Sequence, residues 1–168
     1  MYRSFGANCS KSSTTKIERE LSMCYYYDIR GIIVPGKKIG DFLIRSTYND
    51  ILSKNLIERD YSNKNWPECD IHEKRKNIVL FLNGNNIIQE IVARNNYKGK
   101  VNGIFGIGDC LSNFKDQIKY ETSICDGQGY FYFASMPGVR VLNQEWDEEG
   151  TSPIESIHVY DIDLGSIL

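Results

Sequence analysis

Few residues in this 168-residue chain have the side chains that usually carry nucleophilic, acid–base or metal chemistry: two histidines and five cysteines. Cys69 and His72 stand at Cys-x2-His spacing, which is half of a zinc site. No second pair completes it, so no metal is expected. Cys125, followed by Asp126-Gly127 and with His158 downstream, has the order of a thiol nucleophile and its base. No local signature accompanies it, and a thiol hydrolase stands as the minor alternative. Gly103, Gly106 and Gly108 lack the G-x-G-x-x-G spacing and a following basic residue. A strand running into a helix cap at Asp109 accounts for them better than a phosphate cradle. No carboxylate pair stands out as general acid and base. The chain is therefore expected not to be an enzyme and to need no cofactor.

Contact chemistry is better represented. Tyr130, Phe131, Tyr132 and Phe133 run consecutively, and a strand sends alternate side chains to opposite faces. Phe131 and Phe133 are expected in the core, Tyr130 and Tyr132 outside. On the next strand Val139, Val141 and Asn143 alternate with Arg140, Leu142 and Gln144. On the last, His158 and Tyr160 alternate with Ile157 and Val159. Trp146 precedes Asp147-Glu148-Glu149, an aromatic anchor beside three carboxylates. Tyr and Trp are favoured at protein interfaces because they bring area with a polar handle. The plainer reading is that the tyrosines cover a half-exposed sheet and Trp146 closes one end of it.

Charge sharpens this. The net charge of −2 divides into +4 over residues 1–40, +1 over 41–140 and −7 over 141–168, where no Lys or Arg occurs. A local field of that sign steers a basic partner, although such a run also serves simply as a solvated edge. It repels phosphates, and there is no basic stripe, so direct nucleic-acid binding is disfavoured. No apolar run approaches the ~20 residues of a membrane helix.

These residues need elements to place them. Only 3 residues are Ala, and the β-branched and aromatic types predominate, with 21 Ile and 11 Tyr; sheet should exceed helix. Cys24–Tyr27 followed by Ile29–Val34 reads as strand, Pro35–Lys38 as turn, and Ser46 or Thr47 as the cap of a helix over Tyr48–Leu56. Asn77–Leu82 and Ile87–Arg94 form a hairpin around Asn83-Gly84-Asn85-Asn86. Gly40–Ser46 then aligns with Gly103–Asp109 at an offset of 63, matching Phe42 to Phe105 and Ile44 to Ile107. A second helix follows over about Cys110–Lys119, with strands over Gln128–Ala134, Val139–Trp146 and Pro153–Asp161. The expected fold is α+β: two tandem strand–helix–β-meander repeats making a mainly antiparallel sheet with helices on one face. Residues 1–28 read as an N-terminal segment with a possible short helix, and residues 29–168 as one domain built from repeats over 29–99 and 100–168. The start lacks the apolar stretch of a signal peptide, and five irregularly spaced cysteines suit reduced thiols, so a cytoplasmic location is expected.

Ile33-Val-Pro-Gly-Lys-Lys-Ile-Gly-Asp-Phe-Leu-Ile44, followed by Ser46-Thr47 and a short helix, resembles the opening of bacterial immunity proteins, including those of contact-dependent growth inhibition systems. The tandem layout over residues 31–161 looks like that of β-lactamase inhibitory protein. Arg45 departs from the family's Ile-Gly-x-Thr pattern, which the second repeat keeps as Gly106 or Gly108. The resemblance implies a cytoplasmic protein that binds one cognate toxin C-terminal domain, a basic nuclease above all, and masks its substrate groove. No catalytic residue carries over. The expected contact set is Tyr130, Tyr132, Trp146, Asp147, Glu148, Glu149, Tyr160 and Asp161. The alternative is an interaction or assembly module of the same architecture without a toxin partner.

Overall fold

Ile78, Leu80 and Leu82 alternate with Val79 and Phe81, and the pattern resumes beyond the Asn83–Asn86 turn. A chain patterned this way pairs on itself and keeps one face dry. The computed structural model describes residues 31–53, 70–74, 77–125 and 127–163. Its elements begin with β1 (Ile33–Val34), β2 (Lys38–Ile39), β3 (Phe42–Leu43) and helix α1 (Tyr48–Ser53). There follow β4 (Asp70–Lys74), β5 (Ile78–Leu82), β6 (Ile88–Arg94), β7 (Lys100–Val101), β8 (Phe105–Gly106) and a 3-10 turn at Leu111–Phe114. The chain closes with β9 (Glu121–Cys125), β10 (Gln128–Tyr132), β11 (Val139–Asn143) and β12 (Ile154–Tyr160). The expected segment over residues 1–28, the helix continuation over 54–56, Cys69 and the side chains of His72 and Cys125 lie outside the described residues.

The strands make two sheets. One has seven strands in the order β4-β5-β6-β12-β11-β10-β9, every pair antiparallel. The other has five short strands in the order β3-β2-β1-β7-β8, with β1 parallel to β7. The core forms between them. Ile33, Ile39, Phe42, Val101 and Phe105 of the small sheet join Leu80, Ile91, Ala93, Phe131, Val141, Ile157 and Val159 of the large one in a single buried cluster.

The α+β expectation, with helices covering one face, is corrected here: the fold is mainly β. Among the described residues helix is confined to the six residues of α1, and the second expected helix is the four-residue 3-10 turn. The caps explain the difference. Thr47 Oγ1 accepts from Asp50 N at 3.2 Å while the Asp50 carboxylate accepts from Thr47 N at 3.0 Å. This reciprocal pair holds the first turn of α1 open for an α-helix. Asp109, expected to cap the second helix, instead accepts from Gly106 N at 2.9 Å, back towards the β7–β8 hairpin. The cap position falls to Cys110, which makes no side-chain cap bond.

One local construction occurs twice. Arg45 N donates to Ile88 O and Ile88 N to Ser46 O; further along, Gly108 N donates to Ile154 O and Ile154 N to Asp109 O, all at 2.9–3.0 Å. Arg45 and Gly108 both take a left-handed backbone, with φ of 68° and 85°. Isolated bridges pair Thr47 with Ile87 and Cys110 with Pro153. Register shifts fall at Phe81/Leu82 and at Leu142/Asn143. The triplets β4-β5-β6 and β12-β11-β10 therefore meet about a pseudo-twofold axis in the β6–β12 ladder. Val92 faces His158 there, flanked by Glu90–Tyr160 and Arg94–Ser156.

Candidate functional site

The core takes one face of the seven-stranded sheet. The other carries Glu90, Val92 and Arg94 of β6, Ser156, His158 and Tyr160 of β12, Arg140 and Leu142 of β11, and Tyr130 and Tyr132 of β10, as alternation and register require. At its centre His158 Nδ1 lies 2.6 Å from Glu90 Oε1, and His158 Nε2 lies 2.9 Å from Ser156 Oγ. The imidazole thus bridges the two, bonded to the Glu90 carboxylate at Nδ1 and to the Ser156 hydroxyl at Nε2. Burial alone would raise the Glu90 carboxyl, but the His158 hydrogen bond and the charges of His158 and Arg140 bring it below the ordinary value near 4.5. The Arg140 guanidinium donates to both Glu90 oxygens at 3.1 and 3.3 Å and lies 4.4 Å from the centre of the Tyr130 ring.

Serine, histidine and carboxylate stand here in the order of a hydrolase relay. The backbone of β12 pairs with β6 on one side and β11 on the other. Its ladder amides are thus committed and cannot stabilise an oxyanion. Ser156 is also buried. The arrangement ties Ser156, His158, Glu90 and Arg140 Nη2 into one chain of hydrogen bonds and holds the guanidinium over Tyr130, while Arg140 Nε finds no partner among the described residues.

A second region lies at the β9 end of the sheet. Trp146 leaves β11 and folds back so that its ring lies on Gly129; a Cβ added there would meet the indole at 1.9 Å, so only glycine admits the contact. The ring lies 5.4 Å from that of Phe131 and yet leaves Trp146 42% exposed. Asp147 accepts from Thr151 N at 2.8 Å and Ser152 N at 3.0 Å, and so closes its own turn. Burial would push its carboxyl up, but these N–H groups hold it below the ordinary range. Tyr120 Oη donates to the Glu149 carbonyl at 2.7 Å and ties the turn to the start of β9. Glu145, Glu148 and Glu149 are exposed.

The eight residues expected to make contact thus divide. Trp146, Asp147, Glu148 and Glu149 form the acidic turn. Tyr132 and Tyr160 are half-buried on the outer face of the sheet, and Tyr130 lies beneath Arg140 rather than out in solvent. Asp161 is elsewhere: it is buried and accepts from Arg45 Nε and Nη2, both at 2.7 Å. That pair lines a groove of about 400 Å³ with Gly36, Leu43 and Ile162. Sequence reasoning missed Glu90, Arg140 and Ser156 as site residues. The signal lay in the hairpin spacing, since counting from Ile88 and Ile154 sets Glu90 and Ser156 at corresponding positions. Among the described residues no group of His, Cys, Asp and Glu is placed to hold a metal ion, and no helix is long and apolar enough to cross a membrane. No known protein family, curated protein or solved structure matches the chain.

Proposed function

We propose that this protein works by stoichiometric binding, as a cytoplasmic immunity protein that masks the basic substrate-binding surface of a toxin domain. One observation carries the reading: Trp146 is held half-exposed on Gly129 beside the exposed Glu145, Glu148 and Glu149. An aromatic anchor seated on a rigid sheet contributes slow release, and exposed carboxylates around it contribute a fast, salt-dependent approach. The test is co-expression with the toxin domain encoded by the adjoining gene, which should give a complex of equal stoichiometry. The double variant Glu148→Lys, Glu149→Lys should weaken it at least tenfold and flatten the salt dependence of its on-rate. A toxin that stays fully active beside an equimolar amount of this protein overturns the reading. The interaction or assembly alternative predicts no toxin gene alongside.

The Ser156–His158–Glu90 geometry favours a second reading, a serine hydrolase. It requires that a fluorophosphonate label Ser156 and that His158→Ala abolish the labelling.

A further inference from the structure

β9 has β10 on one side and, among the described residues, no strand on the other. Its register with β10 runs without interruption from Tyr132↔Glu121 to Gln128↔Cys125. The Cys125↔Gln128 pair closes a two-residue connection in which Gly127 has φ of 77°. Such a connection closes on a pair that exchanges both backbone hydrogen bonds. Alternation from there turns the N–H and C=O groups of Thr122 and Ile124 away from β10, towards the open edge. Natural sheets blunt an open edge with Lys, Pro or a bulge. The edge strand Glu121-Thr-Ser-Ile-Cys125 has none of these, and its one charge, Glu121, stands at its start; residues 121–124 are exposed, and Ile124 is 69% exposed.

The face beside this edge is built to match. Ile124 pairs with Gly129, and Trp146 lies on Gly129, so the two exposed apolar side chains stand side by side on one face. They make a shallow seat for alternate side chains of an added strand. Tyr120 brings the acidic turn to the same end, through its bond to the Glu149 carbonyl. Burial first, then the charges of Asp147 and Glu149, raise the Tyr120 hydroxyl. A second copy of this chain would bring a second set of carboxylates to the edge and be repelled. A segment carrying Lys or Arg would be drawn in.

We propose that the partner donates an extended, basic segment that pairs with the open edge of β9 and adds a strand to the seven-stranded sheet, its side chains resting on Ile124 and Trp146. This rests on the binding reading above and names its mode. The experiment is amide hydrogen exchange on the free protein and on its complex with the toxin domain encoded by the adjoining gene. The expected result is that the Thr122 and Ile124 amides exchange fast in the free protein and are slowed at least tenfold in the complex. Ile124→Pro deletes an outward N–H and spares the inward ones, and prolines are tolerated on edge strands. It should weaken the complex at least tenfold with the thermal midpoint preserved, while Ile124→Val should not. If the proline variant fails to fold, the exchange result on the natural chain decides alone. A complex that forms with these two amides still exchanging fast overturns the strand-pairing proposal and leaves the binding reading standing. No complex at all overturns both. Slow exchange in a free protein that sediments as a dimer also overturns the proposal, in favour of self-pairing.

Discussion

Glu90 holds the outer face of the large sheet together, because His158 and Arg140 both turn on its carboxylate. A carboxyl depressed in the folded protein contributes stability that is fully present above its unfolded value and is lost as pH falls through the folded one. Stability measured by denaturant melts should therefore decline below about pH 4.5, the ordinary glutamate value. Glu90→Gln should cost roughly 1.5–3 kcal/mol at neutral pH, the range for hydrogen bonds to a charged group, and flatten that acid decline. An unchanged acid limb would mean that other carboxyls govern it. Asn143 carries the opposite lesson. It is buried in the core face of β11, and neither its Oδ1 nor its Nδ2 finds a hydrogen-bond partner among the described residues. Leu82 occupies the matching place beside the other register shift. Asn143→Leu should raise stability by about 1–3 kcal/mol, the desolvation cost of an unsatisfied polar group, read as a rise in thermal midpoint. Alternation alone placed Asn143 inward. That it would have no partner depends on what surrounds it in three dimensions.

At the scale of elements, local chemistry decided what each segment became. The Asn77–Arg94 hairpin was legible because an Asn-Gly turn and period-two alternation agree, and β5 and β6 form there. The strands after Gln128 were legible from period-two alternation, although each ends before the expected boundary. The helices were over-read. Ser, Thr and Asp before an apolar residue look alike as caps, but Thr47 has Asp50 three residues on to complete the exchange, whereas Asp109 meets the Gly106 amide first. Thr47→Ala should therefore cost about 1 kcal/mol, a typical cap loss, read in denaturant melts. Asp109→Ala should leave the 3-10 turn in place and loosen the β7–β8 hairpin, visible as faster exchange of the Gly106 amide. The tyrosines illustrate the limit in another way. Alternation put Tyr130 on the right face, but only the register of β10 on β11 brings Arg140 over it.

In the molecule as a whole, the two halves meet along the β6–β12 ladder with Val92 and His158 on the axis. The offset of 63 was visible in the strand-to-helix segments and drifts in the hairpins, which is why the centre of the sheet could not be read from one alignment. Glu90 and Ser156 occupy corresponding positions on either side of His158. Two identical chains paired about such an axis would have to place the same residue on both sides. A single chain is free of that constraint, and here one side presents a carboxylate and the other a hydroxyl. The imidazole between them is bonded to both, so a pair of strands equivalent in backbone is polar in its side chains. A rigid body laid across β6 and β12 and turned by half a revolution meets an equivalent pair of strands, but it finds a hydroxyl where it had found a carboxylate, so its charges match in only one of the two orientations.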